Sequence, residues 1–144
     1  MKIEAFLNKS VLIPVIFVGR IMENQVQDEL KHLDLSLLEA LVVVSIFFEG
    51  GDCRPSELAR TLNVSRAHVS IAIKQLLKKE FLSRKISSLD ARFISLTLSA
   101  SGRAKSQRLV RIFDALNEKF EKFFGVRKAE ELAGALARFL ETSS

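Results

Sequence analysis

The sequence predicts a mainly α-helical chain that carries one small β-hairpin. Three observations point there. Capped apolar stretches with helical spacing fill most of the chain. Residues 55–78 split into two short helical segments around a three-residue break. Directly after them, from 81 to 99, the apolar period changes from that of a helix to that of a strand.

Taken in order, residues 3–31 place apolar side chains at Ile3, Phe6, Leu7 and Val11, then densely to Val18, then at Ile21, Met22, Val26 and Leu30. That spacing suits helix, with Pro14 marking a start or a kink. The run "VLIPVIFV" (11–18) is too short to span a bilayer and is bounded by Lys9 and Arg20. It also makes a poor signal peptide, since Glu4 interrupts its approach and no small-x-small cleavage site follows. The expectation is a soluble, cytoplasmic protein.

Ser36 and Glu39 have the spacing of a capping box, each side chain accepting from a free backbone N–H of the other's turn. The following "ALVVVSIFF" (40–48) is apolar nearly all round; the cap and the length favour a buried helix over a strand. "EGGD" (49–52) ends it, because two glycines readily take the left-handed conformation.

Pro55 suits a first helical position, and Leu58, Ala59 and Leu62 share a face. In "NVS" (63–65), Asn63 tolerates the left-handed region, Val64 is an apolar plug and Ser65 caps the next helix. That helix collects Val69, Ala72, Ile73, Leu76 and Leu77 on one side, and Arg66, Ala67, Ser70, Ile71, Lys74, Gln75 and Lys78 on the other. Two short helices joined by a tight turn, the second presenting small, polar and basic groups, form a helix-turn-helix pattern. "FLSRKIS" and "RFISLTLS" alternate as strands joined at 88–91, which places a wing after it. Ser99 then caps a helix running from about 100 to 124, Gly125 closes it, and residues 128–141 form a last amphipathic helix.

Charge is unevenly distributed. Residues 1–53 hold four Lys/Arg against eight Asp/Glu, residues 54–92 nine against three, and residues 93–144 nine against six. A basic middle third indicates an anionic partner, nucleic acid ahead of membrane. In the major groove each base pair has a distinct donor and acceptor pattern, so Ser65, Arg66, Ala67, Ser70, Ile71 and Lys74 on the second helix are the candidate reading surface. Ile71 is unusual on a solvated face; against DNA it suits a thymine methyl. On the wing, Arg84, Lys85 and Arg92 are candidates for backbone or minor-groove contact. Asp90, disfavoured beside phosphates, is expected to shape the wing tip.

Other chemistries find little support. His32 and His68 are isolated, and Cys53 is the single cysteine, so neither a metal site nor a disulfide framework is expected. Phosphate-binding glycine loops and nucleophile elbows are absent from the sequence. Neither a catalytic residue nor a cofactor is expected. Cys53 beside Arg54 leaves redox sensing as a minor alternative.

From Leu35 to Gly102 the chain resembles the MarR family, the multiple-antibiotic-resistance type of regulator. The resemblance rests on Asp90, Arg92, Leu98, Ser99 and Gly102 at the spacing of that family's wing, with Ser in place of its usual Thr, and on "PSELARTLNVSRAHVS". Two positions depart from it: Ile71 stands where the family often has Arg, and Glu80 where it often has Gly. The first implies altered base preference or a weaker phosphate grip, the second a turn that does without glycine's freedom.

The resemblance implies one MarR-like domain over 1–144. In it, residues 35–99 form the winged helix-turn-helix lobe, and 1–34 and 100–144 form intertwining dimerisation helices. It further implies a homodimer on a pseudo-palindromic site in double-stranded DNA, often answering to a small aromatic effector, and acting as a repressor by occupying promoters. The residues agree on dimerisation, because the terminal helices carry more apolar surface than a small lobe buries. The rival reading is a winged-helix protein-interaction module without specific DNA binding, kept open by Ala67 and Ile71 on the outward face.

Overall fold

The computed structural model describes residues 2–51, 53–86 and 94–142. Seven helices and one two-stranded sheet are described: α1 (Lys2–Lys9), α2 (Leu12–Lys31), α3 (Leu37–Phe48), α4 (Pro55–Thr61), α5 (Arg66–Lys78), β1 (Leu82–Ile86), β2 (Ile94–Leu98), α6 (Ala100–Phe124) and α7 (Val126–Thr142). The chain divides into two compact units, Met1–Leu37 and Leu38–Ser144.

In the first unit the N-terminal helix is broken at Ser10 and Val11. Pro14 falls in the first turn of α2, where its missing N–H costs no hydrogen bond, so it starts a helix instead of kinking one. Phe6, Val11, Leu12, Val15, Phe17 and Ile21 are all exposed on this chain.

In the second unit the apolar run at 40–48 is helical. Ala40, Val42, Val43 and Ile46 of α3 are buried. Gly50 and Gly51 close α3 with φ of +72° and +95°, and the Gly51 N–H returns to the Ile46 carbonyl at 3.2 Å. Asn63 turns the chain between α4 and α5 with φ +51°, as its short amide side chain allows. Ser65 caps α5 by accepting from the His68 N–H at 3.2 Å. Val69, Ala72, Ile73 and Leu76 of α5 enter the core. At its end Lys79 Nζ meets Glu39 Oε2 at 3.1 Å, with Glu39 itself buried.

β1 and β2 pair antiparallel, from Leu82 against Leu98 to Ile86 against Ile94. Leu82, Leu96 and Leu98 anchor the base of this wing in the core. Cys53 extends the sheet by a single bridge, the Leu96 N–H donating to the Cys53 carbonyl at 2.9 Å. One paired residue has no period to read, and the sequence pattern did not reveal it.

The turn into the wing corrects one expectation. Glu80 adopts φ +58°, so this turn does use the left-handed region that glycine would favour, and a glutamate occupies it. Its carbonyl accepts from Ser99 Oγ at 2.7 Å and Ser101 Oγ at 3.1 Å. The conformation itself closes α5, with the Phe81 N–H on the Leu76 carbonyl at 2.9 Å and the Glu80 N–H on the Leu77 carbonyl at 3.1 Å.

α6 starts at Ser99, whose hydroxyl accepts from the Gly102 N–H at 3.0 Å. Gly102 is needed for space: a Cβ there would collide with the backbone carbonyl of Phe81. Leu109 and Leu116 bury one side of α6, whereas no residue of α7 is buried. Phe123, Val126, Phe139 and Leu140 are exposed.

Candidate nucleic-acid interface

The site is organised by the helical period of α5. Successive side chains turn by about 100°, so burying Val69, Ala72, Ile73 and Leu76 fixes what the opposite side presents. Ala67, Lys74 and Lys78 lie along its centre, with Ile71 close beside them and Arg66 and Ser70 along one border. Ser65, Arg66, Ala67, Ser70, Ile71 and Lys74 are all exposed. Arg66, Ala67, Ser70, Ile71 and Lys74 therefore share the exposed side of α5, with Ser65 at its N-cap. The helix is about 10–12 Å across with its side chains, which matches the roughly 12 Å width of the major groove.

The N-terminus of this helix is ordered by Ser65. Its hydroxyl lies 3.0 Å from His68 Nδ1 in addition to capping the His68 amide. That hydroxyl is committed to the cap, so its contribution is to position the first turn.

On the wing, Arg84 and Lys85 are both exposed but point to opposite faces, since consecutive residues of a strand alternate. Arg84 is paired with Leu96 and Lys85 with Ser95. The two cations thus flank the ribbon and do not grip a single point. Asp90 and Arg92 lie outside the described residues.

A shallow recess of about 320 Å³ joins α5 to the wing, lined by Arg54, Pro55, Ser56, Arg66, Ser70 and Ile94. Arg54, Ser56 and Ile94 were not among the residues expected. Their neighbourhood with Arg66 is tertiary, brought about by the docking of α4 and β2, and no local spacing announces it. Glu57 fixes the start of α4 by accepting from the Arg54 N–H at 3.1 Å.

Cys53 is in no disulfide and is only 5% exposed. Burial of this degree is the environment of a structural cysteine and not of a reactive one. Among the described residues, no group of three or more His, Cys, Asp or Glu is placed to hold a metal ion. Among the same residues, no helix is long and apolar enough to cross a membrane.

Comparison with known proteins adds to this geometry. Residues 35–94 match the family model described as the MarR family. A search of curated proteins finds no match. Among solved structures, the S. aureus MepR–DNA complex is 15% identical, with a TM-score of 0.83 over 94% of this chain and 97% of that one. The transcriptional regulator SlyA is 19% identical, with a TM-score of 0.81 over 94% of each chain. The reduced form of MarR from E. coli is 20% identical, with a TM-score of 0.73 over 91% of this chain and 96% of that one. At these identities the likeness establishes the fold, a winged helix-turn-helix with helical extensions. The family match agrees with the resemblance read from the wing and the helix pair.

Proposed function

We propose, from the match of residues 35–94 to the MarR family model, that the chain is a sequence-specific regulator of transcription that binds double-stranded DNA. One observation carries the reading. The face of α5 opposite the core is exposed along its length and holds small, polar and basic side chains of the sizes and charges that meet base edges and phosphates. In this role Arg66 and Ser70 read bases, Lys74, Arg84, Lys85 and Arg92 hold backbone, and Asp90 shapes the wing tip. The basic surplus over 54–92 supplies most of the affinity. That a solved relative of this fold is a DNA complex supports the same choice of partner.

The regulator acts as a cytoplasmic homodimer. Exposed Phe6, Leu12 and Phe17 in the first unit, and Phe123, Phe139 and Leu140 in the second, are apolar side chains that a monomer leaves in water. Two copies related by a two-fold axis read two half-sites about one helical turn apart. Occupancy of a promoter then represses it without any catalytic step, and relief by a small aromatic effector is the expectation the family carries.

Selection from a random duplex pool at two salt concentrations tests this. An enriched inverted repeat, bound more weakly at higher salt, is the expected result. Absence of any enriched sequence would overturn the reading in favour of a winged-helix protein-interaction module. Light scattering should give twice the 16.2 kDa chain mass.

A further inference from the structure

We infer that Ile71 makes this protein a reader of a pyrimidine 5-methyl group, thymine in ordinary DNA, once in each half-site. The inference rests on the DNA-binding reading above. Ile71 is 60% exposed, whereas Val69, Ile73 and Leu76 on the same helix are at most 3% exposed. Its side chain therefore adds little to the core. Nor does it serve the helix itself, since a β-branched residue is a poorer helix former than the lysines beside it.

Position supplies the purpose. Ala67 lies one turn earlier on the same outward strip, and both are exposed. Together they make a short apolar stripe bordered by Ser70, Lys74 and Lys78. An isoleucine has neither donor nor acceptor, so the hydrogen-bonding edges of guanine, adenine and cytosine give it nothing to pair with. Setting it against cytosine would cover the N4 donor without replacing its water. The thymine methyl is the apolar group that a base pair shows in the major groove, and covering it removes two apolar surfaces from water together. Ala67 is small enough to let the backbone of α5 come close at that point.

The experiment uses the duplex recovered by selection, with each thymine replaced in turn by uracil, which removes only the methyl group. At one position per half-site, uracil should weaken binding about fourfold, and about fifteenfold with both half-sites changed, from the usual gain for burying one methylene-sized group. Placing 5-methylcytosine there should bind about fourfold better than cytosine, for the same reason. Ile71→Ala should bind thymine and uracil duplexes equally, with its thermal melt unchanged because the residue is exposed.

Equal binding of every uracil duplex by the wild type would overturn the inference, as would undiminished discrimination in Ile71→Ala. Both results leave the selected operator in place, so they refute the role of Ile71 and not DNA reading. A pool that yields no operator overturns the premise and the inference with it.

Discussion

The hydroxyl of Ser99 donates to the backbone carbonyl of Glu80 at 2.7 Å, across the base of the wing. Ser101 donates to the same oxygen at 3.1 Å, and the Ser99 N–H reaches the next carbonyl, that of Phe81, also at 3.1 Å. The end of α5 and the start of α6 are thereby joined on either side of the wing. The wing is thus held at its root.

Glu80 sits at φ +58°, a conformation that costs a residue with a Cβ about 1–2 kcal/mol. Glycine removes that cost but frees the unfolded chain, which returns part of the gain. Glu80→Gly should therefore stabilise the fold by roughly 0.5–1 kcal/mol, raising the melting temperature by about 2–4 °C. Thermal unfolding followed by circular dichroism checks this; an unchanged or lower midpoint would mean that the glutamate side chain compensates its own strain.

Gly102 should be the converse case. Its helical backbone is ordinary, but the carbonyl of Phe81 fills the space a Cβ needs, and a backbone group has little freedom to move aside. Gly102→Ala should destabilise by roughly 2 kcal/mol, an overpacking cost. Chemical denaturation should show a lower midpoint with the same slope. Retention of the wild-type midpoint would show that the wing root is soft.

These two positions mark where the sequence was readable and where it was not. Ser65, Asn63 and Ser99 announce their roles locally, because a short polar side chain caps or turns the chain it belongs to. The outward face of α5 was equally legible, since burying Val69, Ala72, Ile73 and Leu76 leaves one exposed side. Glu80 gave no such signal: a glutamate stands where the closing turn of α5 takes a left-handed residue, and the serines that bind its carbonyl come some twenty residues later. The same holds for the Cys53 bridge to Leu96 and for Ile94 beside Arg66, which exist only after the elements dock.

Lys79 and Glu39 supply a third test. The carboxylate is buried and its ammonium partner, 3.1 Å away, is mostly covered, so the pair is shielded far more than a surface ion pair. Lys79→Met keeps the packing volume but withdraws one positive partner from a buried negative charge. The loss should be about 2 kcal/mol, below the value for a fully buried pair because the lysine is partly exposed. Changing both residues, Lys79→Met with Glu39→Gln, should recover part of it. If the single variant melts like the wild type, the pair is not a determinant of how α3 holds the end of α5.

In the proposed role, Arg66 and Lys85 divide reading from holding. Arg66 stands at the first turn of α5, where a guanidinium can meet the two acceptors of guanine, whereas Lys85 stands on one face of the wing as a flexible point charge. Arg66→Ala should therefore cost about 1–3 kcal/mol on the selected duplex and relax the preference at one base pair of each half-site. Lys85→Ala should weaken all sequences alike and lower the slope of log affinity against log salt by about 1 for each lobe bound. Affinity titrations on the operator and on a scrambled duplex, each at several salt concentrations, distinguish the two. If Lys85→Ala altered base preference while leaving the salt slope intact, or Arg66→Ala did the reverse, the assignment of α5 to bases and the wing to backbone would have to be exchanged.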